Sequence, residues 1–80
     1  MDKNSIELMK NAFGKNLQRI RTTKRKSLLE LSYNCSIDES KISKIEHGKF
    51  DIKMSTIFEL ARGLEIHPKK LLDFEFDFED

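Results

Sequence analysis

Five polar side chains grouped around two isoleucines are the residues best suited to chemistry in this sequence. Within ESKISKIE, residues 39–46, Ile42 and Ile45 are three positions apart, a spacing that predicts one buried face of a helix. The other positions then point outward. Lysine donates hydrogen bonds, glutamate accepts them and serine does both, so this face could pair with the edges of bases. The outward residues are Glu39, Ser40, Lys41, Ser43 and Lys44.

The same polar face has a simpler interpretation. Any helix on the surface of a globular bundle presents polar residues to water. Taken alone, the residue types therefore leave open whether this helix binds a ligand or is merely solvated.

The charge of the chain is unevenly distributed. Residues 1–70 contain 15 Lys and Arg against 9 Asp and Glu, a net charge of +6, whereas residues 71–80 carry −5. No acid interrupts the basic residues between Leu8 and Leu29. A basic body with an acidic tail indicates a polyanionic partner, although lysine and arginine also solvate ordinary helices.

Length and composition restrict the class of protein. With 80 residues, the chain is expected to form one domain with a modest core. Cys35 is the single cysteine, which excludes an intrachain disulfide and fits a reducing compartment. No apolar run approaches the roughly 18–20 residues of a membrane span, and the N-terminus does not resemble a signal peptide. We expect a cytoplasmic protein without a membrane partner.

The sequence offers no recognisable catalytic or metal-binding set. His47 and His67 have no cysteine or paired acid at metal-ligand spacing, and no glycine-rich phosphate loop or Ser/His/Asp set is present. Cys35 is interpreted as a small core residue. We therefore expect neither an enzyme nor a metal, cofactor or small-molecule ligand.

Hydrophobic spacing and capping residues predict the helices. Ser27 and Glu30 form a capping box, Asp38 is suited to an N-cap, Gly48 to a helix end and Pro68 to a first helical position. The predicted helices span residues 5–23, 28–35, 39–47 and 54–63, followed by a short helix or turn at 69–72. This order predicts an all-α, compact bundle of about five helices. Residues 1–72 form the domain, and residues 73–80 form an acidic and aromatic tail.

Two short helices separated by a three-residue break resemble a helix-turn-helix of the phage-repressor (Cro/C1, or XRE) family. The positions that carry the pattern are Ser32, Ser36, Ile37 and Ile42, and the closing signature IEHGK spans residues 45–49. The resemblance covers about residues 13–72 and is greatest to short controller proteins of restriction–modification systems. It implies a lambda-repressor-like fold and a double-stranded DNA partner.

Three positions depart from the pattern of that family. Leu28 stands where a phosphate-binding glutamine is frequent, Ser32 where alanine is usual, and Ser36 where glycine is usual. A residue other than glycine with positive φ costs roughly 1–2 kcal/mol. We therefore expect a slightly altered turn and the loss of one phosphate contact.

The resemblance also implies roles for individual residues. Glu39, Ser40, Ser43 and Lys44 match base-reading positions, with Lys41 beside them. Arg21 and Glu46 match a pair that joins the first helix to the end of the recognition helix. The expected phosphate contacts are Lys26, Ser27, His47 and Lys49, with Lys24 and Arg25 as further candidates.

The last eight residues, DFEFDFED, alternate acids with aromatic rings. In an extended segment this period puts Phe74, Phe76 and Phe78 on one face. An unpaired strand needs a partner, so we predict that the three rings form a dimer interface with a second copy. Three alternatives remain open: Phe74 closes the core, the tail is a disordered competitor of DNA, or dimers form through the last two helices alone.

These observations favour a sequence-specific transcriptional regulator, a homodimer that reads an inverted repeat in the major groove. Two other classes stay open at this point. A helical protein-interaction module would show no salt-dependent affinity for DNA, and a nonspecific nucleic-acid binder would prefer no site.

Overall fold

In the computed structural model, which describes residues 1–78, helices and short connections account for most of the chain. Four α-helices precede one 3-10 helix, and these residues include no strand. The all-α prediction is confirmed. The elements are α1 (Lys3–Thr23), α2 (Leu28–Tyr33), α3 (Glu39–Glu46), α4 (Met54–Leu64) and the 3-10 helix (Pro68–Leu72).

Side-chain caps set the beginnings of the first three helices. Helix α1 begins at Lys3, two residues before the predicted start, because the Asp2 carboxylate accepts the Ser5 amide at 2.8 Å. The capping box predicted at Ser27 and Glu30 is confirmed at α2. Asp38 caps α3, as predicted, by accepting the Lys41 amide at 2.8 Å. Each cap satisfies amides that lack a partner within the helix.

Backbone geometry fixes the ends of the helices. Helix α2 ends at Tyr33 and not at the predicted Cys35, because the Asn34 amide bonds three residues back to Leu31. Helix α3 ends at Glu46, one residue before the predicted end. Beyond it, Gly48 adopts φ +72°, and the Lys49 amide donates to the Lys44 carbonyl at 2.9 Å. This is the Schellman geometry that favours glycine, so the predicted role of Gly48 is confirmed.

Two other helices end in the same way without glycine. Arg25 follows α1 with φ 57°, and Glu65 follows α4 with φ 56°. Each end has the hydrogen bond of a Schellman motif: the Lys26 amide donates to the Arg21 carbonyl, and the Ile66 amide donates to the Ala61 carbonyl. At each of these ends a residue other than glycine therefore has its backbone in the left-handed region, which L-residues disfavour.

The core forms where the four α-helices and the 3-10 helix meet. Gly14 lets α1 approach the end of α3, because a Cβ at this position would lie 2.4 Å from the Glu46 carbonyl oxygen. No helix among the described residues has the length and apolarity needed to cross a membrane. The buried core residues are Phe13, Leu17, Leu31, Ile42, Ile45, Leu60, Ala61, Leu64 and Leu71.

A buried asparagine fixes the 3-10 helix against α1. The Asn16 amide group donates to the carbonyl oxygens of Lys70 and Leu71, at 2.9 and 3.0 Å. Leu71 is thereby held in the core. The predicted short helix at the end of the domain is confirmed, but it is a 3-10 helix that begins at Pro68.

The C-terminal tail divides into two parts. Phe74 packs against the core, which confirms the alternative that this ring closes the bundle. Phe76 and Phe78 instead contact each other edge to face, with ring centroids 5.2 Å apart. Residues 75–78 form neither helix nor strand. Strand pairing with a second copy stays a prediction, and the acids Glu79 and Asp80 lie outside the described residues.

Candidate nucleic-acid interface

The exposed face of α3 is organised around its two buried isoleucines. Ile42 and Ile45 are 0% and 1% exposed, so they define the side that faces the core. Successive residues turn by about 100° in an α-helix. Ser40 and Lys44 therefore lie on the side opposite the core, and both are exposed.

The remaining polar residues of α3 flank that central pair. Ser43 lies on one flank, half-buried, and Glu39 lies on the same side at the first turn of the helix. Lys41 lies on the other flank, with its ammonium nitrogen 5.8 Å from the centroid of the Phe50 ring. The face thus combines two cations, one carboxylate and two hydroxyls, which together can donate to and accept from base edges.

A buried ion pair holds α3 to α1. Arg21 Nε donates to Glu46 Oε2 at 2.6 Å, and Arg21 Nη2 donates to Glu46 Oε1 at 3.0 Å. The Glu46 side chain is 1% exposed and that of Arg21 is 11% exposed. A bidentate pair of this kind fixes both distance and angle, so the two helices implied by the family resemblance are joined at this point.

Arg21 also reaches the loop before α2. Its Nη1 donates to the Lys26 carbonyl oxygen at 2.8 Å. One guanidinium therefore ties together the end of α1, the end of α3 and the loop that carries Lys24, Arg25 and Lys26. The basic loop and the polar face of α3 are consequently held in one fixed relation.

Ser27 lies at the junction of this loop with α2. Its hydroxyl oxygen accepts the Glu30 amide at 3.0 Å, and its own amide donates to Glu30 Oε1 at 2.8 Å. Hydrogen bonds to the carboxylate from the Ser27 backbone amide and, second, from the Ser27 side chain lower the pKa of the Glu30 carboxyl. Both the backbone amide and the side chain of Ser27 are thus engaged within the cap.

The C-terminal end of α3 carries the other two expected phosphate contacts. The His47 ring lies exposed, with Nδ1 2.7 Å from the Ser43 carbonyl oxygen. Lys49 is exposed one residue beyond Gly48. Basic groups therefore occupy two loops that meet near the C-terminal end of α3: Lys24, Arg25 and Lys26 before α2, tied there through Arg21, and His47 and Lys49 directly after α3.

The structure accommodates the three departures from the family pattern. Leu28 packs against the core, so this position contributes apolar contact. The Ser32 hydroxyl donates to the Leu29 carbonyl oxygen at 2.6 Å. Ser36 is not among the described residues with positive φ, and its amide donates to Glu59 Oε1 at 3.3 Å. The turn therefore avoids the strain that glycine would relieve.

Cys35 packs beside this turn. It is partly buried against the core, as predicted, and its thiol lies 3.8 Å from the Ile37 carbonyl oxygen. Burial raises the pKa of the Cys35 thiol, so the group stays protonated and acts as a small apolar residue.

Two structurally important contacts were not predicted from the sequence. Phe50 contacts Lys41 from the loop after α3, and no local pattern indicates that contact. Asn16 fixes the 3-10 helix. Its signal was present, because Asn16 lies three positions after Phe13 and therefore on the core side of α1.

The class of protein follows from this arrangement: a helix-turn-helix regulator of the lambda-repressor-like fold. Over 72 residues the sequence is 33% identical to control protein C.BamHI of Bacillus amyloliquefaciens, with 89% of this chain and 85% of that protein covered. No family model matches the sequence. The chain belongs to the helix-turn-helix controller proteins of restriction–modification systems, a family of DNA-binding transcription regulators.

Solved structures agree with this assignment. The restriction–modification controller protein C.AhdI from Aeromonas hydrophila superposes with a TM-score of 0.73 at 31% identity, covering 76% of this chain and 92% of that one. A mutant form of the controller protein C.Esp1396I superposes with a TM-score of 0.74 at 20% identity, covering 81% and 82%. At that lower identity the likeness concerns the fold alone.

Proposed function

We propose that this chain regulates transcription by binding a specific double-stranded DNA site, with α3 in the major groove and a second copy of the chain on a symmetric half-site. The observation that carries the proposal is the bidentate Arg21–Glu46 pair, extended to the Lys26 carbonyl. It holds one polar helix face and the adjacent basic loop in a single rigid frame. A helix with its side chains is about 10–12 Å across, which suits a groove about 12 Å wide.

The proposed reading residues are Glu39, Ser40, Lys41, Ser43 and Lys44. Lys44 lies at the centre of the exposed face and has the donor that guanine O6 and N7 accept. Glu39 accepts hydrogen bonds and so selects cytosine, whose N4 amine donates. The two serines adapt to either type of base edge.

The proposed positioning contacts are made to phosphates. They come from Lys26 and Ser27 before α2 and from His47 and Lys49 after α3, with Lys24 and Arg25 beside the first group. Such contacts release counterions, so affinity falls as salt rises. They carry no sequence information by themselves.

The proposed assembly is a homodimer built on an apolar groove and the tail of residues 73–80. The groove lies between α1, the loop after α3, α4 and the C-terminal segment. Phe78 follows the groove residue Phe74 by four positions and is 63% exposed. Together with Phe76 it offers an aromatic pair that a second copy can cover. The groove is lined by Met9, Lys10, Phe13, Phe50, Asp51, Ile52, Ile57, Leu72 and Phe74.

A truncation tests the part played by the tail. Removal of residues 75–80 leaves Phe74 on the core and takes away the aromatic pair. We expect weaker dimers by sedimentation and a weaker complex with the operator. A truncated chain that dimerises and binds as tightly as the full chain contradicts the tail interface, and tighter DNA binding favours a tail that competes with DNA.

Selection of bound duplexes from a random pool tests the function itself. If the protein binds as a two-fold dimer, the selected duplexes should contain an inverted repeat whose half-sites are one helical turn, ~34 Å, apart. Recovery of no preferred sequence contradicts specific reading and favours a nonspecific binder. Within this proposal the chain acts in the cytoplasm and is a regulator without enzymatic activity.

A further inference from the structure

The loop after α3 brings an aromatic ring to one flank of the reading face. Phe50 is 39% exposed, and its ring lies beneath the Lys41 ammonium at 5.8 Å. The negative face of an aromatic ring attracts a cation within about 6 Å. Lysine otherwise has a long flexible stem and many rotamers, so this contact selects among the positions that the ammonium can take.

Phe50 also borders two surface depressions. Its ring lines the apolar groove together with Met9, Phe13 and Ile52. It also borders a polar depression with Lys41 and Lys53. The ring therefore lies between the apolar groove and the polar surface that carries Lys41.

We propose that Phe50 is a positioning residue for DNA reading, which presents the Lys41 ammonium to one base pair at the edge of each half-site. The inference rests on the proposed function, because it assumes that Lys41 meets DNA. Phe50 itself need touch no base. Because the ring already restricts the Lys41 side chain in the free protein, Lys41 loses less conformational entropy when it binds DNA.

The size of the effect follows from the strength of the contact. An exposed cation–π contact corresponds to a population change of about two- to fivefold. Substitution Phe50→Leu keeps an apolar side chain in the groove but removes the ring face. We expect it to lower the preference for the base pair read by Lys41 by about two- to fivefold, with preferences elsewhere in the half-site unchanged.

A double-mutant cycle separates this role from an indirect effect on folding or dimerisation. The four proteins are the full-length chain, Phe50→Leu, Lys41→Met and the double variant, each titrated with the selected duplex and with a duplex altered at the affected base pair. In the Lys41→Met background, Phe50→Leu should no longer change the preference. Equal effects of Phe50→Leu in both backgrounds overturn the proposal, since a general loss of stability or dimer acts in both. Phe58→Leu, on α4, is the matched control and should leave the preference unchanged.

A measurement without DNA distinguishes failure of this inference from failure of the proposed function. In the free protein, the Phe50 ring should shift the NMR signals of the Lys41 side-chain methylene protons, and Phe50→Leu should return them to ordinary values. Unshifted Lys41 signals in the wild-type protein overturn the positioning role. If the Lys41 signals are shifted but the protein prefers no duplex, the proposed function is wrong, whereas the contact between Phe50 and Lys41 is confirmed. An equal gain in affinity for every duplex on Phe50→Leu also overturns the proposal, because Phe50 would then be withholding the charge of Lys41.

Discussion

At the scale of single residues, Arg21 has the largest structural role in the interface. Its guanidinium serves both oxygens of Glu46 and the carbonyl of Lys26. Burying these charges is costly unless every donor and acceptor is paired, and here all three groups meet. In the proposed function the residue acts on DNA indirectly, because it sets the angle at which α3 and the basic loop are presented.

Replacing Arg21 with Ala should destabilise the fold strongly. Removing one partner of a buried pair leaves the other charge uncompensated, at a cost of about 3–5 kcal/mol. Urea denaturation measures the loss. Arg62→Ala is the matched control, because Arg62 pairs with Glu59 at the surface and its loss should change stability little. Similar midpoints for the two variants would show that the buried pair contributes no more than the exposed one.

Replacing Lys44 with Ala should weaken specific binding more than nonspecific binding. Loss of a base contact costs about 1–3 kcal/mol on the cognate duplex and relaxes the preference at one base pair of each half-site. Titrations with cognate and scrambled duplexes measure both effects. Lys69→Ala removes the same charge from the 3-10 helix and should leave the preference intact. Equal losses on both duplexes would make Lys44 a phosphate contact.

At the scale of elements, close approach and helix ends decide the geometry of the interface. The α1 helix reaches the carbonyl end of α3 only because residue 14 has no side chain. The Schellman ends of α1 and α3 direct the chain into the loops that carry the basic residues. Both features involve glycine or a left-handed residue, and both can be tested by stability alone.

Substitution Gly14→Ala should destabilise the protein although alanine favours helix by about 1 kcal/mol. The added Cβ would lie 2.4 Å from the Glu46 carbonyl oxygen and 2.5 Å from that of Ile45, so α1 and α3 must move apart. Thermal unfolding measures the loss. Lys15→Ala, at an exposed position of the same helix, should be nearly neutral. A stabilised Gly14→Ala variant would mean that the two helices are not so close.

Substitution Glu65→Gly should stabilise the protein by about 1 kcal/mol. Glu65 has φ 56°, a conformation that costs an L-residue roughly 1–2 kcal/mol and glycine almost nothing. Glu65→Ala is the control: it removes the same carboxylate but keeps the Cβ, so no comparable gain is expected. Chemical denaturation of the two variants measures the difference, and equal gains would attribute the effect to charge.

At the scale of the whole molecule, local features were predictable and contacts between distant elements were not. The Ser27–Glu30 capping box and the turn at Gly48 depend on neighbouring residues, so the sequence contains their full signal. The bond from Asn16 to Lys70 spans 54 positions, and its geometry depends on how the helices pack. The contact of Phe50 with Lys41 is close in sequence but depends on the loop conformation, which no pattern encodes.

The tail shows the same division within one segment. Its alternating pattern predicts a single aromatic face, yet Phe74 packs on the core and the next two rings contact each other. Periodicity describes an isolated strand, whereas the nearby core competes for the first ring. The Arg21–Glu46 pair was anticipated only through family resemblance, since two charges 25 positions apart carry no local signal.

The measurement that most directly tests the account is a set of affinity titrations at physiological salt with three duplexes. These are the selected inverted repeat, the same duplex with one half-site scrambled, and a fully scrambled duplex. We expect the full repeat to bind at least about 10³-fold more tightly than the scrambled duplex, with the half-site duplex in between because only one copy of α3 reads its sequence. Equal affinity for all three duplexes would contradict a two-fold, sequence-specific regulator.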